Sequence, residues 1–156
     1  MRRILVVGVP VLGSLVAAFF WLSPTQSGER ASHQDEQTVA LGQSLYLENC
    51  AACHGANLEG QANWQSRDSD GYLPAPPHDE TGHTWHHPTE QLFAITKLGT
   101  EAIVGGGYKS NMAAFGDVLS DGEIYAILAY IKSTWPERII ERHNQMDADV
   151  NTARRP

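Results

Sequence analysis

The sequence predicts an all-α domain, on three observations. Apolar residues recur at helical spacing in several segments, those segments carry start and stop residues suited to helices, and no stretch alternates as a strand would. The chain has 156 residues, enough for one domain plus an end segment, and its 19% charged and 42% hydrophobic residues exclude disorder throughout.

Residues 36–50 read as the first helix, with Val39, Gly42, Tyr46 and Cys50 near one face. Glycine inside a helix costs about 1 kcal/mol against alanine. Close approach of another helix at Gly42 would offset that, and the last helix is the natural partner. A middle helix is expected over Thr89–Leu98, with Pro88 just before it and Gly99 just after it. The last helix starts at Ser120, an N-cap residue with Glu123 three places on, which together make a capping box. Ile124, Ile127, Leu128, Ile131 and Trp135 then form a continuous apolar stripe. Pro136 ends it or opens a second helical piece running to about Asn144. Glu137, Arg138, Glu141 and Arg142 give that piece a solvated, charged face, and residues 147–156 read as a loose tail.

The first residues read as an address. Arg2-Arg3 precedes an uncharged run of nineteen residues from Ile4 to Leu22, the pattern of a membrane-targeting segment. Residues 1–22 fit an uncleaved signal anchor or a cleaved signal peptide; Thr25-Gln26-Ser27 is a weak small-x-small cleavage match. The positive-inside tendency keeps Arg2 and Arg3 in the cytoplasm and sends the remainder across. Residues 23–35 read as a polar tether. The expected location is the bacterial inner membrane facing the periplasm, or the soluble periplasm after cleavage.

The formal net charge is −7; from Ala31 onward 17 acidic residues stand against 8 basic ones, leaving −9 there. Such a surface repels nucleic acid and favours a partner with a basic docking face.

The two cysteines fall in Cys50-Ala51-Ala52-Cys53-His54-Gly55. A disulfide-rich fold is excluded by their number. Two thiols separated by two residues, with histidine next, match the two vinyl groups and one iron face of a haem. The sulfurs of Cys50 and Cys53 would form thioethers, and His54 would ligate the iron. A zinc site would need two further ligands; no other cysteine exists, which leaves histidines further along to supply them. A thioredoxin-like pair would need a βαβ context, which the sequence lacks.

With these residues the chain resembles the class I bacterial cytochrome c family over roughly residues 37–135. Gly42-Gln43-Ser44-Leu45-Tyr46 and Cys50–His54-Gly55 are similar to that family's first helix and haem attachment site. Asn111-Met112-Ala113-Ala114-Phe115-Gly116 resembles its sixth-ligand loop, and the segment from Leu119 to Ser133 its last helix. The resemblance implies a cytochrome c fold of three to five helices around one covalent haem, here over 36–136, with 137–156 as an extension. Of the three methionines, Met1 starts the export signal and Met146 lies in the polar tail, whereas Met112 sits in a loop 58 residues after His54. His54 and Met112 are therefore the expected iron ligands, a pairing that raises the reduction potential. Ala113 stands where the family often has proline. A ligating histidine normally donates its other N–H to a carbonyl or carboxylate. In similar proteins a proline carbonyl accepts it, which within Leu73-Pro74-Ala75-Pro76-Pro77 favours Pro76 over Pro74.

Between Gly55 and Pro88 lies a long loop holding His78, His83, His86 and His87, with Asp79, Glu80, Trp64 and Trp85. It fits a cover over the haem edge, a second metal site for copper or zinc at the four histidines, or a histidine ligand in place of Met112.

The expected function is a membrane-tethered, one-haem electron carrier, not an enzyme, cycling between Fe(III) and Fe(II) and serving redox partners at the membrane. The rivals are a haem enzyme subunit or sensor with an open iron position, and a copper-handling protein built on the histidine-rich loop.

Overall fold

The computed structural model describes residues 32–154. The expected signal segment and the tether up to residue 31 lie outside the described residues. Among the described residues all regular structure is helical. The elements are α1 (Glu36–Asn49), α2 (Ala51–His54), a 3₁₀ turn (Thr84–His86), α3 (Thr89–Leu98), α4 (Thr100–Val104), α5 (Asp121–Ser133) and α6 (Glu137–Ala153).

The α1–α5 pair is the spine of the molecule. The Asp35 carboxylate starts α1 by accepting from the Thr38 N–H at 3.0 Å and from the Thr38 hydroxyl. Ser120 and Glu123 start α5 with a complete capping box, as its sequence predicts. The two helices meet at Gly42, where a Cβ would stand 1.9 Å from the Ala126 carbonyl oxygen. The missing side chain at Gly42 is thus what allows the close approach.

Tyr46, Ile124, Ile127, Tyr130, Ile131, Trp135, Ile139 and Ile140 form one buried cluster shared by α1, α5 and α6. The stripe expected on the last helix supplies its centre. Removing such side chains from water is the main stabilising term, about 1.5–3 kcal/mol for each large aliphatic one.

The end of the chain departs from expectation. Helix α6 runs to Ala153, not to about Asn144, so the loose tail expected over 147–156 is corrected to helix as far as Ala153. Its inner face buries Ile139, Ile140 and His143, and one turn later Asp147 reaches α3. The Asp147 carboxylate accepts from the Thr89 N–H and from the Thr89 hydroxyl, both at 2.7 Å. It thereby caps α3, whose own N-cap residue, Pro88, has no side chain able to do so.

Candidate functional site

Helix α1 ends at Cys50, and the chain turns once more through α2 before Gly55 stops it at φ +82°. This single turn places Cys50 and Cys53 one helical turn apart, with the Cys53 N–H on the Cys50 carbonyl at 3.1 Å. Neither cysteine is in a disulfide; Cys50 is partly buried and Cys53 exposed. Burial, then the neighbouring Cys53, pushes the Cys50 thiol up to about 11, so at neutral pH it is not a thiolate nucleophile.

His54 is 8% exposed. Its Nδ1 lies 2.8 Å from the Pro76 carbonyl oxygen. A carbonyl can only accept, so Nδ1 carries the proton and the Nε2 lone pair is left for a ligand bond. Burial holds the imidazole below its usual range, and the Pro76 hydrogen bond opposes this only in part. The neutral form is the one that can bind a metal.

Segment 74–77 is seated beside the attachment turn by short bonds. The Gln61 N–H donates to the Ala75 carbonyl and the Ala75 N–H to the Gln61 side chain, each at 2.8 Å. Gly60 has φ +66°, and a Cβ there would lie 2.4 Å from the Pro77 nitrogen. Only glycine fits both the backbone angle and the space.

Met112 is half-buried in the loop between α4 and α5. The Thr100 hydroxyl donates to its sulfur at 3.4 Å, leaving a second sulfur lone pair. The loop carries Ala113 in place of proline, and other bonds brace it. The Ser110 N–H donates to the Glu101 carboxylate at 2.9 Å, the Met112 N–H to the Ser110 hydroxyl at 3.1 Å, and the Phe115 N–H to the Thr96 carbonyl at 3.0 Å.

The expected second metal site at His78, His83, His86 and His87 is corrected. Among the described residues no three or more His, Cys, Asp or Glu side chains are grouped to hold a metal ion. Each ring is engaged with a different neighbour. His83 stacks on Trp64 at 5.3 Å and His86 on Trp85 at 3.8 Å. His87 meets His83 edge-on, and its carbonyl accepts from His143 Nε2 at 2.9 Å. His78 turns inward to Thr84 and to the His54 ring. It lies beside His54, with the ring centroids 4.0 Å apart.

Sequence reasoning missed three participants: His78 as the neighbour of His54, Trp135 as donor to the His78 carbonyl at 2.7 Å, and Asp147 as the cap of α3. Their partners lie 24 to 58 positions away, and no local pattern joins them.

Comparison with known proteins agrees with the geometry. The nitrite reductase of Stutzerimonas stutzeri is 28% identical over 134 residues, covering 82% of this chain and 21% of that protein. The cbb3-type cytochrome c oxidase subunit FixP of Azorhizobium caulinodans is 28% identical over 94 residues, covering 60% of this chain and 28% of the relative. FixP of Sinorhizobium medicae is 24% identical over 116 residues, covering 71% and 36%. The chain thus spans about a third or less of the length of these relatives. No solved structure gives a significant match. The cytochrome c family profile matches residues 39–135, from the first turn of α1 to just past the end of α5. The helical fold, the attachment turn and that match together show that the chain belongs to the cytochrome c family and, with it, to the haem electron-transfer proteins.

Proposed function

We propose that Cys50 and Cys53 carry one haem c, that His54 and Met112 ligate its iron, and that the protein passes single electrons on the periplasmic side of a bacterial inner membrane. The observation that carries this reading is the His54 imidazole, whose Nδ1–H is committed to the Pro76 carbonyl, leaving Nε2 as a ligand next to Cys50 and Cys53 on the same turn.

The donor set fits haem. Cys50 and Cys53, one helical turn apart, would hold it by two thioether bonds, and the His54 imidazole and the Met112 thioether would ligate its iron. Haem held there supplies a one-electron Fe(III)/Fe(II) couple. The protein's residues set its working conditions. The Pro76 carbonyl fixes the His54 tautomer and ring direction and raises its basicity. The Thr100 hydroxyl orients the Met112 sulfur by occupying one lone pair. Ligation by both His54 and Met112 would leave no position on the iron for a substrate, which would suit the chain to a carrier rather than a catalyst.

Arg2-Arg3 and the apolar run to Leu22 support tethering at the membrane, and the net charge of −9 beyond Ala31 suits a partner with a basic face. Two of the relatives are named as subunits of cbb3-type oxidases, which supports a membrane redox complex as that partner.

Mass spectrometry of the exported protein tests the attachment. The peptide holding Cys50 and Cys53 carries the added mass of a haem, and a bare peptide would overturn the proposal. Carbon monoxide tests the ligand. The native ferrous protein does not bind it and Met112→Ala does; ready binding by the native protein would indicate a haem enzyme or sensor instead.

A further inference from the structure

Among the described residues the His54 ring has one polar tether, the Nδ1–H bond to Pro76. A single hydrogen bond fixes where the ring points but not its rotation about the bond axis. The flank of the ring is occupied by another imidazole: the centroids of His54 and His78 are 4.0 Å apart, with 37° between the planes. His78 is itself pinned from three directions. Its N–H donates to the Leu58 carbonyl at 2.8 Å, its carbonyl accepts from Trp135 Nε1 at 2.7 Å, and its Nδ1 pairs with the Thr84 hydroxyl at 2.8 Å. Thr84 and Trp135 are each 5% exposed, so both anchors are set in the core. The Tyr46 ring meets His78 edge-on at 6.0 Å.

The carbonyl that orients His54 and the ring that flanks it come from one three-residue segment, 76–78. That segment is held between two glycines. A Cβ on Gly60 would lie 2.4 Å from the Pro77 nitrogen, and one on Gly82 would lie 2.0 Å from the Pro77 oxygen. Acceptor and ring wall therefore keep a fixed relation to each other.

We propose that His78 is a positioning residue for His54, walling its ring so that the imidazole plane and the dryness of its flank are set by the Thr84–His78 pair. The inference rests on the reading that His54 ligates haem iron. A phenylalanine would fill the same space, but only a side chain with a ring nitrogen can also be locked in rotation by Thr84.

The test compares the full-length exported protein with His78→Ala, His78→Phe and Thr84→Val. It reads haem mass, the midpoint potential and the haem-methyl NMR shifts of the ferric state, which follow the plane of the ligand ring. In His78→Ala water reaches the ligand's flank and favours the more highly charged ferric iron. The Fe(III)/Fe(II) ratio at a fixed potential then rises by about three- to tenfold, and the methyl shifts respread. His78→Phe recovers most of the potential. Thr84→Val, which removes the pin on the His78 ring and the weaker 3.4 Å bond to the Pro77 carbonyl without touching His54, moves the methyl shifts and lowers the potential less than His78→Ala. If His78→Ala keeps the native potential and shifts with haem attached, the role is overturned. Should that variant fail to mature, unchanged shifts in Thr84→Val overturn it instead. A native protein without haem mass removes the parent reading as well, so the two failures are separable.

Discussion

Tyr46 is fully buried, and its hydroxyl donates at 3.0 Å to the Gly55 carbonyl, the residue that closes the attachment turn. Burial drives its phenol well above the usual range, so it remains a donor at any working pH. Tyr46→Phe removes the bond but leaves the Gly55 carbonyl paired with the Leu58 N–H at 3.2 Å, so it costs about 0.5–1.5 kcal/mol. Urea denaturation should show that loss with little change in cofactor content. At this scale the sequence was informative where chemistry demands fixed residue types at fixed spacing. Cys50, Cys53 and His54 could be read directly. The choice of Pro76 over Pro74 drew on resemblance, and in the structure it is the Pro76 carbonyl that stands 2.8 Å from His54 Nδ1. His78 could not be read, because its meaning lies in a ring contact across 24 positions and in an anchor on Trp135, 57 positions away.

Among the elements, the α1–α5 contact makes the sharpest demand on sequence. Gly42→Ala adds helix propensity worth about 1 kcal/mol, but its Cβ would collide with the Ala126 carbonyl, backbone that cannot swing aside. The helices must separate, and the expected net effect is a loss of about 1–3 kcal/mol in chemical denaturation. Ser120→Ala breaks the capping box of α5 and should lower stability by about 1 kcal/mol in the same assay. Both features were legible: a glycine on an apolar helix face signals close packing, and a serine three places before a glutamate signals a start. The end of α6 was not. Past Asn144 its inner contacts are polar, Lys132 to Asn144 at 2.6 Å and Asp147 to Thr89 at 2.7 Å, and periodicity of apolar residues does not register them.

For the molecule as a whole, α6 closes the structure. His143 is 1% exposed; its Nδ1 accepts from the Lys132 ammonium at 3.0 Å while its Nε2–H donates to the His87 carbonyl at 2.9 Å. Burial, then Lys132, holds this imidazole below 6.5, with Asp147 and the His87 bond opposing. Since the unfolded chain binds the proton more readily, the stabilisation is complete above about pH 6.5 and is lost as pH falls through the lower folded value. Thermal unfolding followed from pH 8 to pH 5 should show a falling midpoint on the acid side. His143→Gln should flatten part of that slope, and the remainder includes His33, His54, His78, His83 and His87, which burial also lowers. The same seam bears on the order in which the chain is assembled. The Tyr46–Gly55 bond that shapes the attachment turn spans nine positions, whereas those from Trp135 to His78, His143 to His87 and Asp147 to Thr89 span 56 to 58. Loop closure makes the short bond the cheaper to form early and the long ones late. On the proposed reading the two thiols would therefore be presented on a nascent turn while the flanking loop still hangs open, and the C-terminal helix would shut the door after haem attachment.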